Sequence, residues 1–185
     1  MKMSRAWAMP SSETFSIPPI RDLLKRWIKP GMVVVDPFAR NSRWGTLTND
    51  QDLGTEAESH LEAGDYLRHL IEAEVRADAV LLDPPYSPRQ MAEHYRTLGN
   101  GKAPQQETLQ GHYQKACRLL DIVLRIGGIA VVCGWSSVGM GNGGAYEFEE
   151  ILLVAHGATH NDTIVTVQRK MREQGELFRK IRPTQ

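Results

Sequence analysis

Residues 83 to 86 read Asp-Pro-Pro-Tyr and directly follow the apolar run 79–82. The run is short and aliphatic, so it predicts a buried strand, which the prolines must end because proline lacks an N–H and fixes φ. Asp83 would then lie at the carboxyl end of a strand, where open α/β sheets bind their ligands. Its carboxylate can accept a hydrogen bond from an exocyclic amine, the Pro84 carbonyl has no competing sheet partner, and Tyr86 offers a flat face for stacking. The segment Asp83, Pro84, Pro85 and Tyr86 therefore predicts a socket for an amino-bearing base.

A second group of this kind lies upstream, where Asp36, Pro37 and Phe38 follow the apolar run 32–35. This pattern also predicts a buried strand that ends in a carboxylate and a tight turn. We expect Asp36 and Asp83 to lie at the same edge of one sheet and to bound a single pocket.

Together the two motifs resemble those of the S-adenosylmethionine-dependent amino-methyltransferases. In that family the catalytic motif is Asp, Asn or Ser followed by Pro-Pro and an aromatic residue, which 83–86 match, and 33–42 look like its cofactor motif. The resemblance implies a Rossmann-like three-layer α/β sandwich, S-adenosylmethionine as cofactor, and methyl transfer to the N6 amine of adenine in DNA. Two alternatives stay open: an RNA base amino-methyltransferase, and a non-catalytic nucleic-acid-binding relative of the fold.

The resemblance also implies which residues bind the cofactor. The methionine end would be held by Asp36, Pro37, Phe38 and Ala39. The ribose would be held by Asp50, with Asn49 as the second candidate. Asp65 would meet the adenine amino group, although a helix N-cap is an equally reasonable role for an aspartate at this position.

Arg40 departs from the family pattern, which usually has glycine at this place in the turn. Because a side chain restricts the backbone, either the loop is reshaped or cofactor binding is impaired. A third interpretation is that Arg40 or Asn41 holds the carboxylate of the cofactor.

The expected chemistry needs no covalent intermediate. An adenine amine is a poor nucleophile, so transfer requires orientation and acceptors for its N–H groups, which Asp83 and the Pro84 carbonyl would supply. Methylation of cytosine at C5 would need a nucleophilic cysteine after a proline, whereas Cys117 follows alanine and Cys133 follows valine. We interpret both cysteines as small buried apolar residues.

Contacts to the acceptor are expected from the loop that follows the catalytic motif and from one later strand end. The candidates are Ser87, Arg89, Arg96 and Trp135, and we interpret 87–109 as a lid or substrate loop. The base of a duplex would have to flip out of its stack, with Tyr86 against it. The chain has no room for a separate recognition domain of ordinary size. Recognition of a target nucleotide sequence would then depend on short loops or on the second subunit of a homodimer, or the enzyme would have relaxed sequence specificity.

Hydrophobic periodicity predicts the elements that position these residues. Helices are predicted at 20–28, 66–76 and 113–125, and strands at 32–35, 46–48, 79–82, 129–133, 148–155 and 163–167. The last two strands form a terminal antiparallel hairpin on a mostly parallel sheet. The connection after Asp36 is too short for an ordinary crossover helix. Only six strands are evident, and since the family has seven, we expect another around 53–62.

Length and composition fit one domain over 1–185, which has 41% hydrophobic and 24% charged residues. We divide it into an N-terminal segment and helix at 1–31, the loop at 87–109 and a basic tail at 169–185. The formal net charge is zero, so affinity for DNA or RNA must come from local basic patches such as that tail.

The remaining expectations concern compartment and metals. No signal or membrane-spanning pattern is evident, and two cysteines suit a reducing compartment, so we expect a cytoplasmic protein of a bacterial or phage-infected cell. His156 and His160 lie four residues apart but have no third ligand nearby in the sequence, so no metal is expected.

Overall fold

The computed structural model describes residues 1–84, 106–141, 144–157 and 160–173. The strands in these residues are β1 (Lys2–Trp7), β2 (Val34–Asp36), β3 (Leu47–Thr48), β4 (Ala77–Leu82), β5 (Leu124–Gly134), β6 (Tyr146–Ala155) and β7 (Thr163–Lys170). The helices are α1 (Pro18–Trp27), α2 (Ala63–Glu72) and α3 (Gln106–Val123), and a 3-10 turn covers Thr14–Ser16.

All seven strands join one sheet in the order β1-β6-β7-β5-β4-β2-β3. Strand β7 is antiparallel to both of its neighbours, β5 and β6. The other pairs are parallel. The predicted mostly parallel sheet with a C-terminal antiparallel hairpin is confirmed.

The helices form where their sequences favour them. Two prolines occupy the first turn of α1, where the missing N–H groups have no helical partner to lose, and Lys25 and Arg26 lie in its last turn beside the carboxyl end of the helix dipole. In α2 the Glu62 side chain accepts the N–H of Asp65 and so satisfies one of the free donors at the helix start.

Hydrophobic side chains cover both faces of the sheet. On one face α1 packs Ile20, Leu23 and Leu24 into a core that includes Leu81 and Val131. On the other face α2 and α3 pack against the sheet through residues that include Leu67, Leu120, Val35 and Leu82. These two cores confirm the predicted three layers.

The seventh strand is not where the sequence analysis expected it. Strand β1 lies at the sheet edge in parallel register with β6, whereas the region 53–62 contributes only a bridge between Asn49 and Ser59. Ala6 of β1 packs against the core, while Met3 and Trp7 face outward and are 70% and 66% exposed. An edge strand with one thin buried face has weak periodicity, which is why the pattern was missed.

Other boundaries also differ from the predictions, and three of them matter for the assignments made above. Helix α3 begins at Gln106, so residues 106–109 belong to a helix and not to the predicted loop 87–109. The same helix ends at Val123 and β5 begins at the next residue, before the glycines that were expected to stop the helix. Strand β7 extends to Lys170, so 169 and 170 are not tail residues.

The basic residues at the start of that predicted tail are engaged within the protein. Arg169 pairs with Glu149 at 2.5 Å, Lys170 is fully buried, and Arg172 donates to the Gly144 carbonyl at 3.2 Å. They are therefore not a free set of phosphate contacts, and residues 174–185 lie outside the described part of the chain. No helix among the described residues is long and apolar enough to cross a membrane.

Candidate active site

Four neighbouring parallel strands, β5, β4, β2 and β3, end at the same edge of the sheet. Asp36 is the last residue of β2, Asn49 and Asp50 follow β3, Asp83 follows β4, and Trp135 follows β5. As the sequence analysis expected, Asp36 and Asp83 lie at one edge. The connection between β2 and β3 contains no helix, which confirms the predicted short crossover.

Asp36 is the most unusual side chain at this edge. It is fully buried, and its Oδ1 accepts the N–H of Phe38 at 3.2 Å. Its Oδ2 has no hydrogen-bond partner among the described residues. Burial raises the pKa of Asp36 well above the ordinary value of 3.8, the Phe38 N–H opposes that rise, and the negative charges of Asp83, Asp50 and Glu13 add to it.

A buried carboxylate oxygen without a donor is costly unless a ligand supplies a positive charge or a donor. The ammonium group of S-adenosylmethionine has both properties. The residues at this edge therefore fit the cofactor that the resemblance implies, with Asp36 as the acceptor for its positive end.

Asn49 is a structural residue at this edge of the sheet. Its Nδ2 donates to the carbonyls of Pro37 and Leu61 at 3.2 and 3.1 Å, and its Oδ1 accepts the Leu61 N–H at 2.9 Å. Its backbone carbonyl accepts the Ala39 N–H at 2.9 Å. The fully buried side chain thus locks the turn after β2 to the chain near Leu61, which leaves it poorly placed for the ribose role.

Asp50 fixes the same turn from the other side. Its Oδ2 accepts the backbone N–H of Arg40 at 3.1 Å, and its Oδ1 accepts that of Asp52 at 2.9 Å. Each carboxylate oxygen keeps a second lone pair, so Asp50 can still accept from a ribose hydroxyl.

Arg40 adopts the backbone conformation that a glycine would. Its φ is 50°, in the left-handed region that costs a residue with a side chain roughly 1 to 2 kcal/mol. The hydrogen bond that the Arg40 N–H donates to Asp50 holds the arginine in this left-handed form. The three interpretations offered for this departure stay predictions. The Arg40 side chain is 54% exposed.

Glu13 is a residue of this site that the sequence analysis missed. Its Oε1 lies 3.6 Å from Nε of Arg40 and accepts a long hydrogen bond of 3.4 Å from Nδ2 of Asn41. It precedes the turn Thr14–Ser16, whose Phe15 is buried, so the segment before α1 is anchored beside the turn after β2. No local pattern marks Glu13, because its role depends on contacts with residues far along the chain.

Asp65 lies apart from the buried carboxylates. It is in the first turn of α2, its side chain is 58% exposed, and it pairs with Arg68. The cap of this helix is Glu62, so the N-cap role considered for Asp65 is wrong. Its proposed contact with the adenine amine stays a prediction.

Asp83 and Pro84 are the members of the catalytic motif within the described residues. Asp83 is half-buried and Pro84 is buried at the end of β4. The predicted site residues Pro85, Tyr86, Ser87, Arg89 and Arg96 lie outside the described residues.

The neighbouring strand end carries Cys133 and Trp135. Cys133 is fully buried, and burial together with the charges of Asp83 and Asp36 raises the pKa of its thiol well above the ordinary value. A thiol kept protonated is a poor nucleophile, as the sequence analysis expected. Trp135 is 47% exposed two residues beyond Cys133.

Of the two histidines considered for a metal, the buried one has both ring nitrogens within hydrogen-bonding distance of other protein groups. His156 is buried, with Nδ1 2.8 Å from the Ala8 carbonyl and Nε2 2.8 Å from the Thr163 hydroxyl. In the described part of the chain, no cluster of three or more histidine, cysteine or acidic side chains has the arrangement of a metal site.

Comparison with known proteins gives matches in structure only. No protein-family model and no curated protein sequence matches the chain. The structure of NSun6 from Pyrococcus horikoshii with SFG has a TM-score of 0.53 and 15% identity, over 81% of this chain and 51% of that one. The structure of TrmN from Thermus thermophilus has a TM-score of 0.48 and 16% identity, over 84% of this chain and 49% of that one.

The likeness to NSun6 establishes the fold. Seven strands in one mixed sheet between helical layers form a Rossmann-like methyltransferase sandwich, as the sequence analysis expected. The chain spans about half the length of the solved structures it matches.

Proposed function

We propose that this protein is an S-adenosylmethionine-dependent methyltransferase whose acceptor is the exocyclic amine of adenine in a nucleic acid. The observation that carries the proposal is the buried Asp36 carboxylate, with one oxygen lacking a partner among the described residues, at the same sheet edge as Asp83. The NSun6 structure was solved with SFG, an analogue of S-adenosylmethionine, which supports this cofactor for the shared fold.

The roles of the residues follow from their positions. When bound, S-adenosylmethionine supplies an electrophilic methyl group on a sulfonium centre. Asp36 accepts from the positively charged end of the cofactor, and Asp50 is the acceptor available to the ribose. Asp83 and the Pro84 carbonyl accept the N–H groups of the adenine amine, which orients its nitrogen and stabilises the positive charge that develops there.

Both DNA and RNA are candidate polymers, because adenine presents the same exocyclic amine in each. The sequence motif led us to expect DNA. The matched structure, NSun6, is an RNA methyltransferase, so the comparison supports the RNA alternative better than the DNA one. Because the identity to NSun6 is 15%, both polymers belong in the test.

The non-catalytic alternative rested on damage to the cofactor loop by Arg40. Because Arg40 adopts the left-handed conformation and Asp50 holds it there, the loop keeps the backbone that a glycine would give it. The catalytic proposal is therefore preferred.

The test begins with binding and transfer by the wild-type protein. Calorimetry measures the affinity for S-adenosylmethionine, and transfer of a tritiated methyl group is compared on RNA, single-stranded DNA and duplex DNA, with mass spectrometry of the nucleosides. N6-methyladenine in one polymer is the expected product. Absence of cofactor binding, or of N6-methyladenine in all three substrates, would refute the proposal.

Replacement of Asp83 tests its assigned role. Asp83→Ala should lower kcat by at least about a hundredfold, because the side-chain acceptor of the amine N–H is removed. Asp78→Ala is the matched control, since Asp78 lies on the same strand at the other end, where it accepts the Val33 N–H at 2.7 Å and pairs with Arg125. Equal activity of the two variants would remove Asp83 from the mechanism.

A further inference from the structure

The connection from β5 to β6 passes over β7, which lies between these two strands in the sheet. Across its described residues, 135–141 and 144–145, this connection contains no helix. It is rich in glycine, and Gly139, Gly141 and Gly144 all have positive φ. A loop therefore covers this part of the sheet.

The strand beneath the loop presents two polar side chains to it. Thr166 and Gln168 alternate along β7 and therefore share one face, and both are buried close to Gly139. Gln168 Oε1 accepts the backbone N–H of Met140 at 2.7 Å. A Cβ atom at position 139 would overlap the side-chain amide of Gln168, so any residue other than glycine there would displace that side chain.

A second element holds the same two residues of the loop. The Tyr113 hydroxyl, on α3, donates to the Gly139 carbonyl at 2.6 Å. Met140, the next residue, is 4% exposed and packs into the core on the α3 side. Helix α3 and strand β7 thus hold the loop at Gly139 and Met140 from two directions.

The loop begins at Trp135, beside the catalytic motif. Strands β4 and β5 are paired in register up to Leu82 and Val132, so Asp83 and Cys133 come next on the two strands. The charge of Asp83 contributes to the raised pKa of the Cys133 thiol, which places the carboxylate close to the start of the loop. The half-exposed Trp135 follows two residues later.

We infer that Tyr113 and Gln168 are positioning residues for the acceptor base, because they fix the loop that carries Trp135 next to Asp83. This inference rests on the proposed function. If the loop that carries Trp135 is already ordered, it loses little conformational entropy when the base binds. A flexible loop would have to become ordered, which would reduce the binding free energy. The two residues should therefore affect the nucleic-acid substrate and leave cofactor affinity unchanged.

Tyr113→Phe removes one hydroxyl from this arrangement and nothing else. Its matched control is Tyr146→Phe, which removes the hydrogen bond of 2.7 Å from the Tyr146 hydroxyl to Asp121 and keeps the hydrogen bonds to the Gly139 carbonyl and the Met140 N–H. Loss of one such bond corresponds to a change of about three- to tenfold. We expect Tyr113→Phe to raise the KM for the methylated polymer by that factor, with an unchanged Kd for S-adenosylmethionine and an unchanged KM in Tyr146→Phe.

A spectroscopic measurement separates loop position from general stability. In protein labelled with 5-fluorotryptophan, the 19F resonance of Trp135 is assigned by its loss in Trp135→Phe. Tyr113→Phe should shift or broaden this resonance, and Tyr146→Phe should not.

The glycines provide a second pair of variants. Gly139→Ala places a methyl group against Gln168, whereas Gly141→Ala has no atom within 4 Å of its new Cβ, although both residues have positive φ. We expect the KM for the polymer to rise more in Gly139→Ala than in Gly141→Ala.

If the wild-type protein transfers methyl groups but the paired variants have equal KM values and equal Trp135 resonances, this inference alone is overturned. If the wild-type protein is inactive on every polymer, the proposed function fails first and the inference fails with it.

Discussion

Two fully buried charged residues on opposite sides of the sheet centre have very different surroundings. Lys170 Nζ donates to the carbonyls of Asp121 and Leu124 at 2.5 and 3.0 Å, and to Glu173 at 2.9 Å. All three of its protons are thus used. Asp36 has one carboxylate oxygen bonded to Phe38 and one without a partner among the described residues.

The difference separates a structural charge from one available to a ligand. Burying a charge is tolerated when every donor or acceptor is satisfied, and is costly when one is not. Lys170 connects β7 to the end of α3 and the start of β5, and its donors are all used within the protein. One oxygen of Asp36 has no donor among the described residues, as expected of a ligand-binding carboxylate if the proposed function is right.

The largest expected effect tests the structural role of Lys170. Lys170→Met should lower the free energy of unfolding by about 3 to 5 kcal/mol, because it leaves buried acceptors, including the Asp121 carboxylate 3.5 Å away, without their donor. Urea denaturation measures the change. A loss of less than about 1 kcal/mol would show that Lys170 does not have the structural role assigned to it.

The binding half is tested by Asp36→Asn, with Asp121→Asn as the matched control at a buried carboxylate that has partners. Asp36→Asn should weaken S-adenosylmethionine binding by about ten- to a hundredfold, the expected loss for one charge-assisted hydrogen bond, and should raise stability near pH 8. Asp121→Asn should lower stability with little effect on the cofactor. Calorimetry measures the cofactor affinity of both variants, and urea denaturation measures their free energies of unfolding. Equal changes in the two variants would contradict the distinction between a ligand-binding and a structural carboxylate.

The stability of Asp36→Asn relative to the wild-type protein should also depend on pH. Below pH 3.8 the Asp36 carboxyl is protonated in both the folded and the unfolded chain. As pH rises, the unfolded chain ionises first because the folded pKa is raised, so stability is lost progressively until the pH exceeds the folded pKa. The stability advantage of Asp36→Asn should therefore grow from about pH 4 upward, while cofactor affinity of the wild-type protein rises over the same range. A stability difference that does not vary with pH would contradict this account.

The smallest effect concerns backbone strain at the two residues other than glycine that have positive φ among the described residues, Arg40 and Glu74. Each replacement by glycine should change stability by roughly 1 kcal/mol or less, since the relief of strain is partly offset by the flexibility that glycine adds to the unfolded chain. Glu74→Gly is the control, because it lies beyond the end of α2. If the Arg40 side chain holds the cofactor carboxylate, only Arg40→Gly should weaken S-adenosylmethionine binding. Equal cofactor affinity in the two variants would assign Arg40 a backbone role alone.

Sequence reasoning worked where the signal is local. The prolines at the start of α1, the apolar run that forms β4 and the carboxylates at strand ends all encode their structure within a few residues. It failed where the determinant is distant in sequence. Lys170 belongs to a run of basic residues that suggests a solvated tail, but its acceptors come from α3 and the start of β5.

The same limit applies within the candidate site. Arg40 suggested an altered turn because the restraint that holds it, the Asp50 carboxylate, follows on a different strand end. Glu13 carries no mark of a site residue until folding brings it beside Arg40. Asn49 shows the reverse case, since its residue type suited a ribose contact but its amide is used by the Pro37 and Leu61 carbonyls.

The edge strand β1 has a consequence for how the chain folds. The segment that follows it contacts His156 across 148 residues of sequence, and β1 itself pairs with β6. A ribosome releases β1 long before β6 exists, so the backbone groups of β1 that pair with β6 stay unpaired during most of translation. Completion of the sheet is then a late, high-contact-order event, and the nascent chain is most prone to aggregate before it.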